Sequence, residues 1–287
     1  MTKIKHPGAR IASWLVGGFR TSCCSREAIC IGTLNPSADG VRLAMFNFAF
    51  ITDPQIGMAS PNGLEADDSA RARLDKAVDF INANDDVELV IFGGDHVNHG
   101  DSVEQLDVFL AGAGRLKVPW YGVSGNHDQH AVYMTHEATP NRFTLTHKGC
   151  FFVGFNASAL RGDLEAEAQA EEWAYLRETV AAAPAEATHR FVVMHWPLFT
   201  QHPDEEECYW NMPNRHQLVQ FFKESKITCV LCGHWHQDVD GVWQGVPLVT
   251  SIGTCRQLQY PEETAFKLVA VFDDGFSVRR VSVETVA

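Results

Sequence analysis

Apolar and polar positions follow two alternating patterns from residue 41 onward. Short, nearly continuous apolar runs are typical of buried strands, and they predict strands over residues 41–52, 87–94, 118–125, 190–196, 227–235 and 246–252. Between these runs, apolar residues with the spacing of one helix face predict helices over residues 67–84, 102–116, 167–183 and 213–225. Hairpins are predicted over residues 142–157 and 266–283, with turns at Lys148-Gly149 and Asp274-Gly275. This alternation of strands and helices predicts an α/β fold.

The first forty residues do not share the pattern. Basic side chains outnumber acidic ones there, and glycine and proline interrupt any periodicity. A targeting peptide is one interpretation of such an acid-poor segment, but no clear small-residue cleavage site follows its short apolar stretch. We therefore expect residues 1–40 to be a flexible N-terminal extension and residues 41–287 to form one domain.

Composition and charge exclude several classes of protein. Of the 287 residues, 45% are hydrophobic and 21% are charged, which excludes disorder as the overall state. The net charge of −13 argues against binding to nucleic acid, because such binding needs clustered lysine and arginine. No apolar run approaches the roughly 18 residues of a membrane-spanning helix. The eight cysteines are scattered, which favours a reducing compartment and a cytoplasmic location.

Polar clusters occur just past the carboxyl ends of five predicted strands. In chain order they are Asp53-Pro54-Gln55, Gly94-Asp95 with Asn98, Gly125-Asn126-His127-Asp128, His195 and Gly233-His234-Trp235-His236. Loops at this position form the sites of α/β sheets. One such residue alone is more often a helix cap than a ligand, but five clusters that supply only Asp, Asn, Gln and His predict a metal site.

The number of candidate ligands indicates more than one metal ion. A single ion offers about four positions, and the set here is larger: Asp53, Asp95, Asn126, His195, His234 and His236. Two ions that share a bridging carboxylate would use the whole set. A centre of two divalent metal ions is therefore expected.

The order of these clusters resembles that of the calcineurin-like metallophosphoesterases. The matching motifs are Asp-x-Gln, Gly-Asp-x-x-Asn, Gly-Asn-His-Asp, a single His and Gly-His-x-His, and they extend over roughly residues 44 to 260. The resemblance implies a four-layer α/β/β/α sandwich of two mixed β-sheets, with residues 41–287 as the catalytic domain and the metals at one sheet edge. Within the family, residues 53–57 and 195–214 most resemble serine/threonine protein phosphatases.

The resemblance also implies which ion each ligand would hold. Asp53, Gln55, Asp95 and His236 would hold the first of two divalent ions (Mn, Mg, Fe or Zn), and Asp95 would bridge to the second, which Asn126, His195 and His234 complete. Gln55 departs from the family, most of whose members have His there. An amide oxygen is a harder ligand than imidazole, so a ligating Gln55 favours Mn²⁺ or Mg²⁺ in the first site; the alternative is an amide that does not ligate.

The implied reaction is hydrolysis of phosphomonoesters in phosphoserine and phosphothreonine proteins, with a metal-bridging hydroxide as the nucleophile. His127 would protonate the leaving oxygen, Asp128 would orient the His127 ring, and Asn98 would contact the bridging water or the phosphate. A phosphodiesterase acting on cyclic nucleotides or other small diesters would use the same motifs. A non-catalytic scaffold of the same fold is a third interpretation, against which the intact His127 argues. We expect a monomer whose partners are its phosphorylated substrates, with no binding to nucleic acid or membrane.

Candidates for substrate contact lie in two loops: Tyr209, Asn211 and Arg256. The acidic run at residues 204–207 precedes the first two and is interpreted as a solvated loop. If this run lines the mouth of the site, it favours phosphorylated segments flanked by basic residues.

Two further features have residue types that suit a functional site, but we expect neither to belong to one. Cys229 and Cys232 have the spacing of a zinc knuckle, but residues three apart in a strand face opposite sides, so we expect buried thiols. His96 lies beside a motif residue and is expected to be an exposed loop residue.

Overall fold

Two β-sheets, packed face to face, form the centre of the protein. The computed structural model describes residues 28–32, 44–58, 68–254 and 264–283. The strands in these ranges are β1 (Ala28–Gly32), β2 (Phe46–Ile51), β3 (Val87–Phe92), β4 (Trp120–Gly122), β5 (Phe143–His147), β6 (Cys150–Gly154), β7 (His189–Val193), β8 (Cys229–Cys232), β9 (Val239–Trp243), β10 (Val246–Thr250), β11 (Ala265–Phe272) and β12 (Gly275–Ser282). The helices are α1 (Asp68–Asn82), α2 (Val103–Ala113), α3 (Ala131–Met134), α4 (Ala157–Arg161), α5 (Ala166–Ala181) and α6 (Arg215–Glu224).

Each sheet is mixed, with a parallel block that carries the polar loops. The first sheet has the order β1-β12-β11-β2-β3-β4, in which β2, β3 and β4 are parallel. The second has the order β5-β6-β7-β8-β10-β9, in which β6, β7, β8 and β10 are parallel. The polar clusters follow β2, β3, β4, β7 and β8, so the topology gathers them at one edge of each sheet.

Apolar side chains hold the two sheets and their helices together in layers. Between the sheets, Phe48 lies against Phe152 and Phe191, with ring centroids 5.3 and 5.6 Å apart. Helices α1 and α2 cover the outer face of the first sheet, as Leu74 and Phe109 show, and α4, α5 and α6 cover the outer face of the second. The predicted four-layer α/β/β/α sandwich is therefore confirmed.

Strand β8 divides its side chains between two of these layers. Cys229 packs between the sheets, and Cys232 packs beneath the helices of the second sheet. Both thiols are free and buried, and burial raises the pKa of each. The prediction of buried thiols on opposite sides of one strand is confirmed.

Both predicted hairpins are confirmed, although the second turns at Asp273-Asp274 and not at Asp274-Gly275, and the structure adds one hairpin that was not predicted. β5 pairs with β6 and β11 pairs with β12, each antiparallel. β9 pairs with β10 through a turn at Gln244 and Gly245, where φ is 51° and 87°. Most of the edge strand β9 is only partly buried, so it tolerates Asp240 and Gly241, which interrupt its apolar pattern. Hydrophobic periodicity alone therefore does not identify β9 as a strand.

The segment 1–40 contributes one strand to the described structure. β1 pairs antiparallel with β12 at the edge of the first sheet. The other residues of this segment lie outside the described ranges, so the flexible extension and the domain boundary at residue 41 stay predictions. Among the helices that the structure describes, none is long and apolar enough to cross a membrane.

Candidate metal centre

The polar loops from both sheets meet in one buried cluster. The ends of five strands supply it, and the side chains that are almost fully buried there are Asp53, Gln55, Asp95, His195, His234 and His236. Asn126 and His127 lie at the margin and are partly exposed. The structure therefore brings together all seven ligands that the sequence predicted.

Short distances join ligands of the first sheet to ligands of the second. His195 Nε2 lies 3.2 Å from Asp95 Oδ2 and 3.1 Å from Asn126 Oδ1. His236 Nε2 lies 3.0 Å from Asp53 Oδ1. The other His195 ring nitrogen, Nδ1, lies 2.8 Å from the carbonyl oxygen of Gly93. Because a carbonyl only accepts, Nδ1 carries a hydrogen, and Nε2 is the nitrogen that could bind an ion.

Several ligand atoms lack the partner that burial demands. Three atoms that could bind an ion lie within 4.8 Å of one another, one each from Asp95, His195 and His234. Gln55 Oε1 and His234 Nε2 are buried and have no hydrogen-bond partner among the described residues. An unpartnered buried polar atom costs about 1–3 kcal/mol, and a metal ion removes that cost. The residues present therefore fit divalent metal ions.

Backbone strain is concentrated at the ligands. The φ angles of Asp53, Gln55, Asp95, His234 and His236 are 52°, 39°, 51°, 66° and 53°. For residues other than glycine, this left-handed conformation costs on the order of 1–3 kcal/mol each and persists only where the surrounding structure enforces it. Such strain is typical of functional sites. In an extended strand successive side chains point to opposite faces, and the left-handed backbone at these positions changes that direction.

Glycines allow the loops to approach closely enough to form the cluster. A Cβ atom added at Gly94 would lie 2.6 Å from His195 Nδ1, and one at Gly233 would lie 2.6 Å from Asp53 Oδ2. Both distances are shorter than real side chains tolerate. The glycines of the Gly-Asp and Gly-His motifs are therefore required by packing and not only by turn geometry.

Buried titratable groups of the cluster shift one another's pKa values. Burial raises the pKa of Asp95, but the charge of His195 and its hydrogen bond outweigh burial and lower that pKa to about 2. Burial lowers the pKa of His195, but Asp95 and Asp53 outweigh burial and raise it to about 9. For His234, burial holds the pKa well below the usual range. Asp95 and His195 thus each favour the charged form of the other, and because a ligating imidazole is deprotonated, metal binding at His195 is expected to release a proton.

His127 is held by backbone groups beside the cluster. Its N–H donates to Asp95 Oδ1 at 2.8 Å, and its ring Nδ1 lies 2.8 Å from the carbonyl oxygen of Asn98. Because a carbonyl only accepts, Nδ1 carries a hydrogen, and Nε2 is the ring atom free to exchange a proton. The backbone carbonyl of Asn98 thus orients the His127 ring. Contact of the Asn98 side chain with water or phosphate stays a prediction.

Asp128 does not have the predicted contact with the His127 ring. Its buried carboxylate accepts from the backbone N–H groups of Gly125 at 2.8 Å and His96 at 3.0 Å, and Oδ2 also lies 3.0 Å from His96 Nδ1. Asp128 therefore ties the loop after β4 to the loop after β3. The direct orienting role is corrected, because both oxygens are used to hold backbone that carries the ligands.

His96 was expected to be exposed and is fully buried. Besides Asp128, its Nδ1 contacts the hydroxyl of Tyr133 at 2.7 Å, and the two rings stack with centroids 5.8 Å apart. Phe109 also packs on the ring, 4.5 Å away. The expectation is wrong because burial comes from α2 and α3, which no local pattern around His96 reveals.

The three candidate substrate residues have different outcomes. Asn211 is fully buried; its amide donates to Glu205 Oε1 at 2.7 Å and its oxygen accepts from the N–H of Cys208 at 3.1 Å. It therefore shapes its own loop, and its assignment as a substrate contact is corrected. Tyr209 is 63% exposed and stays a candidate. Arg256 lies outside the described residues.

Comparison with known proteins places these residues in a sequence family. The family described as calcineurin-like phosphoesterase matches residues 46–238, which include every ligand above. The serine/threonine-protein phosphatase CPPED1 of Danio rerio is 30% identical over 156 residues, 49% of each chain. The Homo sapiens protein of that name is 24% identical over 240 residues, 74% of this chain and 76% of its own. The chain thus spans about half the length of the Danio rerio relative that it matches.

Solved structures with the same fold are more distant in sequence. A dimetal phosphatase from Danio rerio superposes with a TM-score of 0.64 at 15% identity, covering 84% of this chain and 97% of that one. Purple acid phosphatase PPD1 from yellow lupin superposes with a TM-score of 0.60 at 12% identity, covering 86% and 53%. At these identities the likeness concerns the fold.

Proposed function

Because the chain belongs to the calcineurin-like phosphoesterase family, we propose that it is a dinuclear metal-dependent phosphoester hydrolase. We propose phosphomonoesters as its substrates, and phosphoserine and phosphothreonine proteins among them. Support for the substrate class comes from the name of the Danio rerio relative, a serine/threonine-protein phosphatase that the chain matches over about half its length.

The observation that carries the proposal is the buried cluster with its unpartnered ligand atoms. Asp53, Gln55, Asp95 and His236 would hold one ion, and Asp95 with Asn126, His195 and His234 would hold the other. When bound, two divalent ions neutralise a phosphate and supply an activated water. Since the protein is acidic overall, this local positive charge decides phosphate binding.

We assign to His127 the transfer of a proton to the leaving group. Its Nδ1–H is held by the Asn98 carbonyl, so the ring, when it is also protonated at Nε2, would give that second proton to the departing oxygen and return to the neutral imidazole. The alkoxide of serine or threonine is a strong base and leaves only when protonated. His127 is therefore expected to matter most for such esters.

The proposal is tested by hydrolysis with metal-stripped protein to which Mn²⁺, Mg²⁺ or Zn²⁺ is returned. We expect activity on p-nitrophenyl phosphate and on a phosphoserine peptide that depends on added metal. Faster hydrolysis of bis-p-nitrophenyl phosphate than of the monoester would favour the phosphodiesterase instead. Metal binding without hydrolysis of any of these esters would contradict an enzymatic function.

Gln55 is predicted to set the metal preference of the first site. Its Oε1 is unpartnered, and its Nε2 lies 3.5 Å from Asp95 Oδ2, so the amide oxygen is available to an ion. We expect Gln55→His to shift the ratio of Mn²⁺-supported to Zn²⁺-supported rates toward Zn²⁺ by roughly tenfold. Rate profiles of the two proteins against each metal check this. Superimposable profiles would show that Gln55 does not ligate.

A further inference from the structure

An aromatic rim borders the candidate metal centre; it consists of Tyr209, Trp210 and Trp235. The Trp210 ring lies 5.6 Å from the His234 ring and 5.7 Å from the Trp235 ring. Tyr209 is 63% and Trp210 39% exposed, although burial of large aromatic side chains is strongly favoured. The exposed Trp210 ring, which contacts a candidate metal ligand, and the adjacent Tyr209 ring form an exposed apolar surface of the kind that marks binding sites.

Arg161 holds Tyr209 of the rim in place. Its guanidinium lies 4.2 Å from the ring centre of the buried Trp196 and 5.3 Å from that of Tyr209. Its Nη2 donates to the Tyr209 carbonyl oxygen at 3.1 Å, and its Nη1 pairs with Asp163 at 3.2 Å. Tyr209 is therefore anchored at its backbone and its ring, and the aromatic cluster beside the rim already stacks with one guanidinium.

The loop that carries the rim is negatively charged on its outside. Glu205 is turned inward, where it accepts from the backbone N–H groups of Thr200 at 2.7 Å and Gln201 at 2.8 Å. The exposed carboxylates of the loop are Asp204, Glu206 and Glu207. Within the described part of the chain, the ion pairs do not include these three carboxylates. This charge disfavours anionic groups at the rim and favours cations.

We propose that the aromatic rim binds an arginine side chain near the phosphorylated residue of a protein substrate. The inference rests on the proposed phosphatase function and makes it more specific. A guanidinium stacks on tryptophan and tyrosine faces through cation–π attraction, and the exposed carboxylates add long-range attraction. An uncharged aromatic side chain of the substrate could also stack on the faces of these rings, but the exposed carboxylates of the loop would not attract it.

The test compares phosphoserine peptides that differ in one side chain. Arginine is placed at each position within three residues of the phosphoserine, and citrulline, its uncharged planar isostere, replaces it in the matched set. We expect kcat/KM for the best arginine peptide to exceed that for its citrulline counterpart by about fivefold, mainly through KM. Trp210→Leu is expected to bring this ratio close to one.

Trp173→Leu is the matched control variant. Trp173 lies on α5, where Arg177 stacks on its ring and Phe221 meets the ring edge to face, and it takes no part in the metal centre or the rim. The control should keep the arginine preference of the parent protein. Loss of the preference in both variants would show a general structural effect and would count against the rim.

Failure of the rim and failure of the proposed function give different results. Equal kcat/KM for arginine and citrulline peptides at every position overturns the rim while leaving the phosphatase intact, and so does a preference for phenylalanine over arginine. If no peptide is hydrolysed, the proposed action on phosphoproteins fails, and tryptophan fluorescence of the metal-free protein with unphosphorylated peptides decides the rim. Tighter binding of the arginine peptide, lost in Trp210→Leu, supports it; equal binding overturns it.

Discussion

Replacing Asp95 with asparagine is expected to remove metal-dependent hydrolysis almost completely. Asp95 is the shared ligand of the proposed centre, with Oδ2 at 3.2 Å from His195 Nε2 and Oδ1 accepting from the His127 N–H. Asparagine has the same shape and can still accept that hydrogen bond, but it lacks the charge that attracts two cations. We expect kcat/KM on a phosphoserine peptide to fall roughly a thousandfold, which corresponds to about 4 kcal/mol.

The measurement combines initial rates with bound metal counted by elemental analysis, and thermal unfolding shows that the variant is folded. Asp75→Asn is the matched control, because this α1 carboxylate pairs with Arg115 and Arg71 and takes no part in the metal centre. It should leave rate and metal content unchanged. An Asp95→Asn protein with full metal content and the parent rate would contradict the assignment of Asp95 as the bridging ligand.

Replacing His127 with alanine is expected to separate proton transfer from metal binding. Its ring is fixed by the Asn98 carbonyl and is not one of the proposed ligands. We expect kcat on a phosphoserine peptide to fall by about 10²–10⁴-fold with unchanged metal content. The fall on p-nitrophenyl phosphate should be much smaller, because nitrophenolate leaves readily without a proton.

The informative quantity is therefore the ratio of the two losses, measured under identical metal conditions. His136→Ala, which changes an exposed histidine of the following loop, serves as the control and should affect neither substrate. Equal losses on both substrates would show that His127 positions the phosphate or the ligands and does not protonate the leaving oxygen.

The gathering of the candidate ligands in one cluster could be predicted because it depends on local signals. Asp53, Asp95 and His195 each follow a strand whose apolar run is evident in the sequence, and strand ends in a parallel block meet at one edge. The alternation that separates Cys229 from Cys232 is equally local, because it follows from the two-residue period of a strand. No long-range contact is needed for either inference.

Two of the three wrong predictions, those for Asp128 and His96, depend on partners distant in the chain, and the third, for Asn211, depends on how its own loop folds. Asp128 binds His96, 32 residues away, and so cannot serve His127 as its motif suggested. The prediction that His96 is exposed is wrong for the same reason, because Tyr133, on a helix and 37 residues further along the chain, covers the His96 ring. Asn211 points inward because Glu205 turns inward as well. Nothing in the residue types distinguishes these inward side chains from exposed ones.

The sequence by itself determined the α/β class, two of the three hairpins and which residues gather at the candidate metal centre, because periodicity and strand ends are properties of short segments. Only the tertiary structure decided which groups support those ligands and what surrounds the site. The left-handed backbone at Asp53 and His234, the orienting carbonyl of Asn98 and the Arg161 contact with Tyr209 across 48 residues each require loops from different strands to pack together. Such contacts follow from how the two sheets and their loops pack in space, and the order of residues along the chain does not encode them locally.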